Sequence, residues 1–124
     1  MYILLDAHAL LWWVTDSPRL GRSARKAIAD PANQVAVGIG ALWEIIIKRS
    51  RGRLYFPFDF ETVLQDEGFA VLPVQFAHLR ALDTLPHHHG DPFDRLLIAQ
   101  ALAQRIPIAS GDRSFAAYGV EIVW

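Results

Sequence analysis

The sequence predicts an α/β domain with a mostly parallel central sheet of about five strands and helices on both faces. Three observations predict it. Short apolar runs alternate with stretches of helical period along all 124 residues. The first of these runs, Tyr2 to Leu5, is apolar without a break and stops at a charge, Asp6, as a buried strand does. No internal repeat, low-complexity tract or linker interrupts the alternation, so residues 1–124 are expected to form a single domain.

In chain order, Tyr2 to Leu5 is the first strand and Ala7 to Val14, apolar and free of breakers, the first helix. Ser17-Pro18 breaks it. Arg19 to Ala29 resumes a helical period with Leu20, Ala24 and Ile28 on one face, and Asp30-Pro31 stops that helix. Gln34 to Val37 is the second strand. Ala41 to Arg49 is helical, with Leu42, Ile45 and Ile46 on one stripe and Gly52 closing it. A connection over residues 54–58 contains Pro57, and Phe60 to Gln65 forms a short helix. Phe69 to Val74 reads as the third strand and Gln75 to Leu82 as a helix. After the loop Pro86-His87-His88-His89-Gly90, Asp91-Pro92 opens the helix Phe93 to Gln104, with Asp as N-cap and Pro in the first helical position. Ile106 to Ala109 is the fourth strand, Ser114 to Ala117 a short turn or helix, and Val120 to Val123 the fifth strand.

Composition narrows the functional classes. A hydrophobic fraction of 52% suffices for a full core, and the lack of cysteine excludes a disulfide framework, a thiolate zinc site and a cysteine nucleophile. No basic segment precedes the first apolar residues, and no apolar run reaches the ~18 residues of a membrane span. A soluble, cytoplasmic protein with no membrane partner is the expectation. The net charge of −1 hides a split: eight of the twelve basic residues fall in two clusters, Arg19, Arg22, Arg25 and Lys26, then Lys48, Arg49, Arg51 and Arg53.

In open parallel sheets, ligands bind beyond the carboxyl ends of the strands, where strand order reverses. Four acids are expected there. Asp6 ends the first strand, and Asp112 follows the fourth after Ser110-Gly111. Glu44 is placed in the first turn of the helix after the second strand, and Asp94 in the first turn of the helix before the fourth. Converging carboxylates repel unless a cation or protons neutralise them, and a set of hard oxygen ligands selects Mg²⁺ or Mn²⁺. Such ions suit phosphodiester hydrolysis. Each acid also has a plainer reading: Asp6 as a helix cap, Asp94 as a partner of the helix dipole, Asp112 as a turn residue, Glu44 as a solvated helix residue. Asp91 is assigned to capping, which its Asp-Pro context explains.

These residues resemble the PIN-domain nucleases, and most closely the VapC-type toxins of bacterial toxin–antitoxin pairs. The likeness lies in Leu4-Leu5-Asp6-Ala7-His8-Ala9-Leu10-Leu11-Trp12-Trp13, in Leu42-Trp43-Glu44-Ile45, in the run from Pro86 through Asp91-Pro92-Phe93-Asp94-Arg95-Leu96-Leu97-Ile98-Ala99-Gln100-Ala101, and in Ser110-Gly111-Asp112-Arg113 and the residues after it. The third segment is the most specific, and together they span almost the whole chain. The resemblance implies a PIN fold, with Asp6, Glu44, Asp94 and Asp112 as catalytic and metal-binding positions. It implies Mg²⁺- or Mn²⁺-dependent endoribonuclease cleavage, a homodimer, and a small VapB-like antitoxin that occludes the site. The chain departs from the family in two places. Ala7 stands where Thr or Ser usually follows the first Asp, and Gly38, Gly40 and Ala41 occupy a stretch that tends to carry hydroxyls.

Ser110, Arg113, Lys48 and Arg49 are the expected substrate contacts, the cations for phosphate. The loop of His87, His88 and His89 reads as the lining of the substrate entrance or as a plain solvated loop, since neighbouring loop histidines rarely aim at one ion. Trp12, Trp13 and Trp43 read as core, any exposed one marking an interface. An aspartyl-phosphate phosphatase would need a second Asp where His8 stands, and both it and a response-regulator receiver would need a late Lys, but the only lysines are Lys26 and Lys48. The remaining alternatives are a non-catalytic PIN-like RNA- or protein-binding module and a housekeeping RNA-processing nuclease.

Overall fold

Neighbouring residues of the inner strands point to opposite sides of one sheet, and each side is covered by its own helices. In the computed structural model, which describes residues 1–124, the strands are β1 (Tyr2–Leu5), β2 (Gln34–Gly38), β3 (Ala70–Leu72), β4 (Ile108–Ala109) and β5 (Ile122–Val123). They pair in the order β3-β2-β1-β4-β5, and every pairing is parallel. Ile3, Leu5, Val35, Val37 and Ala109 face one core, while Leu4, Ala36 and Ile108 face the other. That two-sided burial explains why the strands read as continuous apolar runs.

The first core is closed by helices α1 (Ala7–Val14), α2 (Arg22–Ala29), α3 (Ile39–Ser50) and α4 (Phe60–Glu67), through Leu10, Ala24, Ile28, Ile45 and Leu64 among others. The second is closed by α6 (Pro92–Gln104) and the 3₁₀ turn Arg113–Tyr118, through Leu97, Ile98, Ala101 and Phe115. Helix α5 (Phe76–Asp83) packs against α6 through the buried His78, whose ring nitrogens meet Gln100 and Gln104.

Element boundaries differ from the sequence reading for identifiable reasons. Helix α2 starts at Arg22, because residues 18–20 form a turn in which the Ser17 hydroxyl accepts the Arg19 N–H. Helix α3 starts two residues early, at Ile39, with Gly38 as its N-cap and Gly40 inside its first turn. A Cβ on Gly40 would lie 3.1 Å from Leu96 Cδ2, where the first turn of α3 passes α6. Strand β4 starts at Ile108 because Arg105 adopts the left-handed conformation (φ 56°) and the Ile106 N–H turns back to the Ala101 carbonyl. Strand β3 ends at Leu72, before Pro73, which has no N–H for the ladder.

The chain runs from β1 outward through β2 to β3, then returns to the opposite side of β1 for β4 and β5. The order therefore reverses between β1 and β4, and a crevice opens beyond their carboxyl ends.

Candidate metal centre and active site

Asp6 leaves β1 at this crevice as the N-cap of α1, its Oδ1 accepting the Ala9 N–H at 2.7 Å. Capping does not use up the carboxylate, which also lines a small pocket. Burial pushes its pKa up, while a hydrogen bond from the Ser110 hydroxyl and that from Ala9 pull it down.

Asp112 arrives from β4 and caps the 3₁₀ turn. Its Oδ1 accepts from the Ser114 N–H at 3.0 Å and the Ser114 hydroxyl at 2.6 Å, and its own N–H donates to Ser110 Oγ at 3.1 Å. Partial burial would raise its pKa, but the hydrogen bonds from Ser114 and His89 prevail and hold the group below the usual carboxylate range.

Asp94 stands in the first turn of α6, its backbone N–H held by Asp91 Oδ1 at 3.1 Å. Desolvation, then the charge of Asp91, lift its pKa to about 7, with Glu44 and Asp6 adding to the repulsion and His89 opposing it. Glu44 sits in the second turn of α3, not the first, because the helix begins earlier than the sequence suggested. Its Oε2 lies 2.9 Å from Lys48 Nζ, one helical turn on.

All four acids line one pocket of about 160 Å³, together with Asp91, Ala7, His8, Lys48 and Phe115. Four carboxylates in so small a volume, one of them lifted to a pKa of about 7 by desolvation and then by the charge of Asp91, fit a hard divalent cation. Asp91 caps α6 as expected, accepting from both Phe93 and Asp94, and it adds charge to the same pocket.

The least legible member of the site is His89. Its Nε2 lies 3.1 Å from Asp112 Oδ2 and 3.3 Å from Asp94 Oδ2, and one ligand atom from each of the three residues falls within 4.8 Å of the others. The other ring nitrogen decides what the imidazole does. Nδ1 accepts the Asp91 N–H at 3.1 Å, so the ring proton stands on Nε2 and is donated toward the two carboxylates. A metal-ligating histidine shows the reverse pattern, donating its second N–H outward. His89 is thus a bridge between two acids from separate elements. The sequence held one clue: the histidine lies two residues before the cap of the helix that carries Asp94. His87 and His88 do not join it. His88 stacks edge-on with Tyr118, and both rings of that pair lie outside the acid pocket.

The expected substrate contacts separate. Lys48 reaches the acid pocket, paired with Glu44. Arg49 turns away: its guanidinium donates to the carbonyls of Phe56 and Phe58 and lies 5.1 Å above the Phe60 ring, which ties the segment after α3 to the helix. Ser110 is fully buried, so its hydroxyl orients Asp6 and Asp112 from behind and is closed to direct contact with a substrate. Arg113 is exposed beside Asp112 and does not line the pocket. Of the tryptophans, Trp12 and Trp13 are half-buried against the first core, while Trp43 is 58% exposed, edge-on to Phe93.

The PIN-domain family model matches residues 3–121. The chain belongs to the PIN-domain family. This PIN domain is 29% identical over 114 residues to "Ribonuclease VapC22" of Mycobacterium tuberculosis, covering 90% of this chain and 87% of the relative. Among solved structures it shares its fold with VapBC2 of Rickettsia felis, a complex bound to a DNA fragment from its promoter (TM-score 0.69, 12% identity, 98% of this chain and 97% of the other). It also shares it with a toxin–antitoxin complex from Klebsiella pneumoniae (TM-score 0.66, 17% identity, 98% and 96%).

Proposed function

We propose that this PIN domain is a metal-dependent endoribonuclease that acts as the toxin of a toxin–antitoxin pair. The observation that carries the reading is the convergence of Asp6, Glu44, Asp94 and Asp112 on one pocket at the reversal of strand order. Its likeness to a ribonuclease of Mycobacterium tuberculosis and to a toxin–antitoxin complex from Klebsiella pneumoniae supports it.

Asp6, Asp94 and Asp112 would hold Mg²⁺ or Mn²⁺, with Glu44 assisting. The ion would supply a polarised phosphoryl oxygen and an acidified water. The chain's own contribution is placement. Asp6 and Asp112 are held through Ser110, Asp112 and Asp94 through His89, and Asp94 through the Asp91 cap. The pKa of Asp94, about 7 without a cation, places its proton where binding of a cation near neutral pH would displace it. Lys48 neutralises Glu44 at the pocket's edge and could pass to a phosphate oxygen when RNA enters. The reading includes a cytoplasmic protein, a homodimer, and a VapB-like antitoxin that occludes the acids with a basic side chain, for which Arg is suited by its bidentate geometry. Leu42 is buried in the core, while Ile39, Trp43 and Ile46 of α3 are exposed apolar residues that an antitoxin segment could cover.

The test is cleavage of RNA by the purified protein. EDTA is expected to abolish it, and Mg²⁺ or Mn²⁺ to restore it better than Zn²⁺ does. Asp94→Asn is expected to lower the rate by on the order of 100-fold or more. Full activity in Asp94→Asn, or activity that survives EDTA, overturns the reading.

A further inference from the structure

Beside the acid pocket lies a larger cleft, of about 580 Å³, between α1 and the segment that follows α3. The two share His8 and Lys48 in their walls, so the cleft opens directly from the acids. Its floor is apolar, formed in part by Leu11, Leu54 and Phe56. Its charged residues are Arg19, Lys48 and Arg53, and no acid lines it. Neither Arg19 nor Arg53 takes part in an ion pair. Aromatic rings form a file toward the acid pocket, which His8 also lines. Trp124 lies 5.8 Å from Trp12, and Trp12 lies 5.2 Å from His8 at an interplanar angle of 31°. Across from them Tyr55 is 87% exposed.

We propose that this cleft is a nucleotide subsite for single-stranded RNA, holding the base next to the scissile phosphate. The inference rests on the ribonuclease reading and adds where the strand lies. Flat π-faces accept any base by stacking, and cations along the rim track the phosphates. Here both occur in one cleft whose size falls within the roughly 300–1,000 Å³ of small-molecule sites. The base stacks in the aromatic file between Trp12 and Tyr55, and Arg19 and Arg53 hold the flanking phosphate. Charge separates this occupant from a basic antitoxin segment, which three cations and no acid would repel.

The experiment measures binding apart from cleavage. Asp94→Asn protein is titrated into a fluorescein-labelled single-stranded RNA oligonucleotide of mixed sequence, and anisotropy is read. Tyr55→Ala and Arg53→Ala are then added singly. Both side chains are exposed, so the fold is expected to survive. Each should weaken RNA binding by about tenfold, while Mn²⁺ affinity, measured with Asp94 intact, stays the same. RNA affinity unchanged in both variants overturns the subsite and returns the cleft to a protein partner. Cleavage by wild-type protein is scored on the same oligonucleotide. Cleavage with unchanged affinity in both variants sinks the subsite and leaves the nuclease standing. No cleavage, with binding weakened by both substitutions, sinks the nuclease and leaves the nucleotide site.

Discussion

His89 donates from Nε2 to Asp112 Oδ2 at 3.1 Å, joining the loop before α6 to the turn after β4. With Asp94 Oδ2 only 3.3 Å from the same nitrogen, one imidazole holds two of the four acids at a fixed separation. Its role is to position carboxylates, and it does so only while Nδ1 accepts from the Asp91 N–H. His89→Ala is therefore expected to weaken Mn²⁺ binding by about tenfold, the low end of what loss of a ligand-orienting partner costs. His89→Gln places an amide N–H near the lost Nε2 and should recover most of the affinity. Electron spin-echo spectra of the Mn²⁺ complex should lack an imidazole ¹⁴N coupling. Such a coupling, or failure of Gln to rescue, would make His89 a ligand.

Asp94 links the same pocket to stability. Its pKa in the folded protein is raised to about 7 from an unfolded value of 3.8. Between these two values the unfolded chain releases the proton that the folded one retains, so stability of the metal-free protein falls as pH rises through this window and levels off above it. Asp94→Asn removes that dependence. In EDTA its melting temperature should exceed that of the wild type by several degrees at pH 8, and the gap should shrink toward pH 4. A gap independent of pH would show that Asp94 carries no such strain.

The two glycines at the start of α3 should respond in opposite ways to the same substitution. A Cβ on Gly38 would lie 3.0 Å from Gln100 Oε1. Gln100 is buried and its amide donates to the Pro73 carbonyl, so it has little room to yield. A Cβ on Gly40 would meet the tip of Leu96, a half-buried side chain with freedom to rotate. Gly38→Ala is expected to destabilise by about 1–3 kcal/mol through overpacking. Gly40→Ala should be neutral or gain up to about 1 kcal/mol from helix propensity. Urea melts of the two variants distinguish them, and equal midpoints would contradict the packing argument.

The same glycines mark how far the sequence could be read. Its apolar runs identified all five strands: β1, β2 and β4 are buried on both faces, and the more exposed edge strands β3 and β5 are apolar throughout. That the four acids meet in one pocket was legible because each stands at a strand end or in an early helical turn, beyond the carboxyl edge of a parallel sheet. The side-chain frame around them was not legible. That Ser110 is sealed behind the acids, that Arg49 braces a loop, and that His89 bridges Asp94 and Asp112 all depend on contacts between particular side chains, among them Asp6 with Ser110 and His89 with Asp112, 23 positions apart, which periodicity does not encode. Buried His78 escaped notice for the same reason: its partners Gln100 and Gln104 lie on another helix.

Asp6 has two roles that substitution can separate. Its Oδ1 caps α1 through Ala9, and its carboxylate lines the acid pocket. Asp6→Asn keeps an oxygen that can accept the Ala9 N–H but removes the charge. Asp6→Ala removes both, and loss of an N-cap costs about 1 kcal/mol. Burial has raised the pKa of Asp6, so ionising it is unfavourable in the metal-free protein, and the neutral amide relieves that. The expected order of melting temperatures in EDTA at pH 8 is Asn at or above wild type, with Ala below Asn. Mn²⁺ affinity should fall in both variants by a similar factor, because neither supplies a carboxylate. If Ala melts as high as Asn, the cap contributes nothing measurable and Asp6 serves the pocket alone. If Asn binds Mn²⁺ as tightly as wild type does, Asp6 is a cap and the centre must be built from Glu44, Asp94 and Asp112.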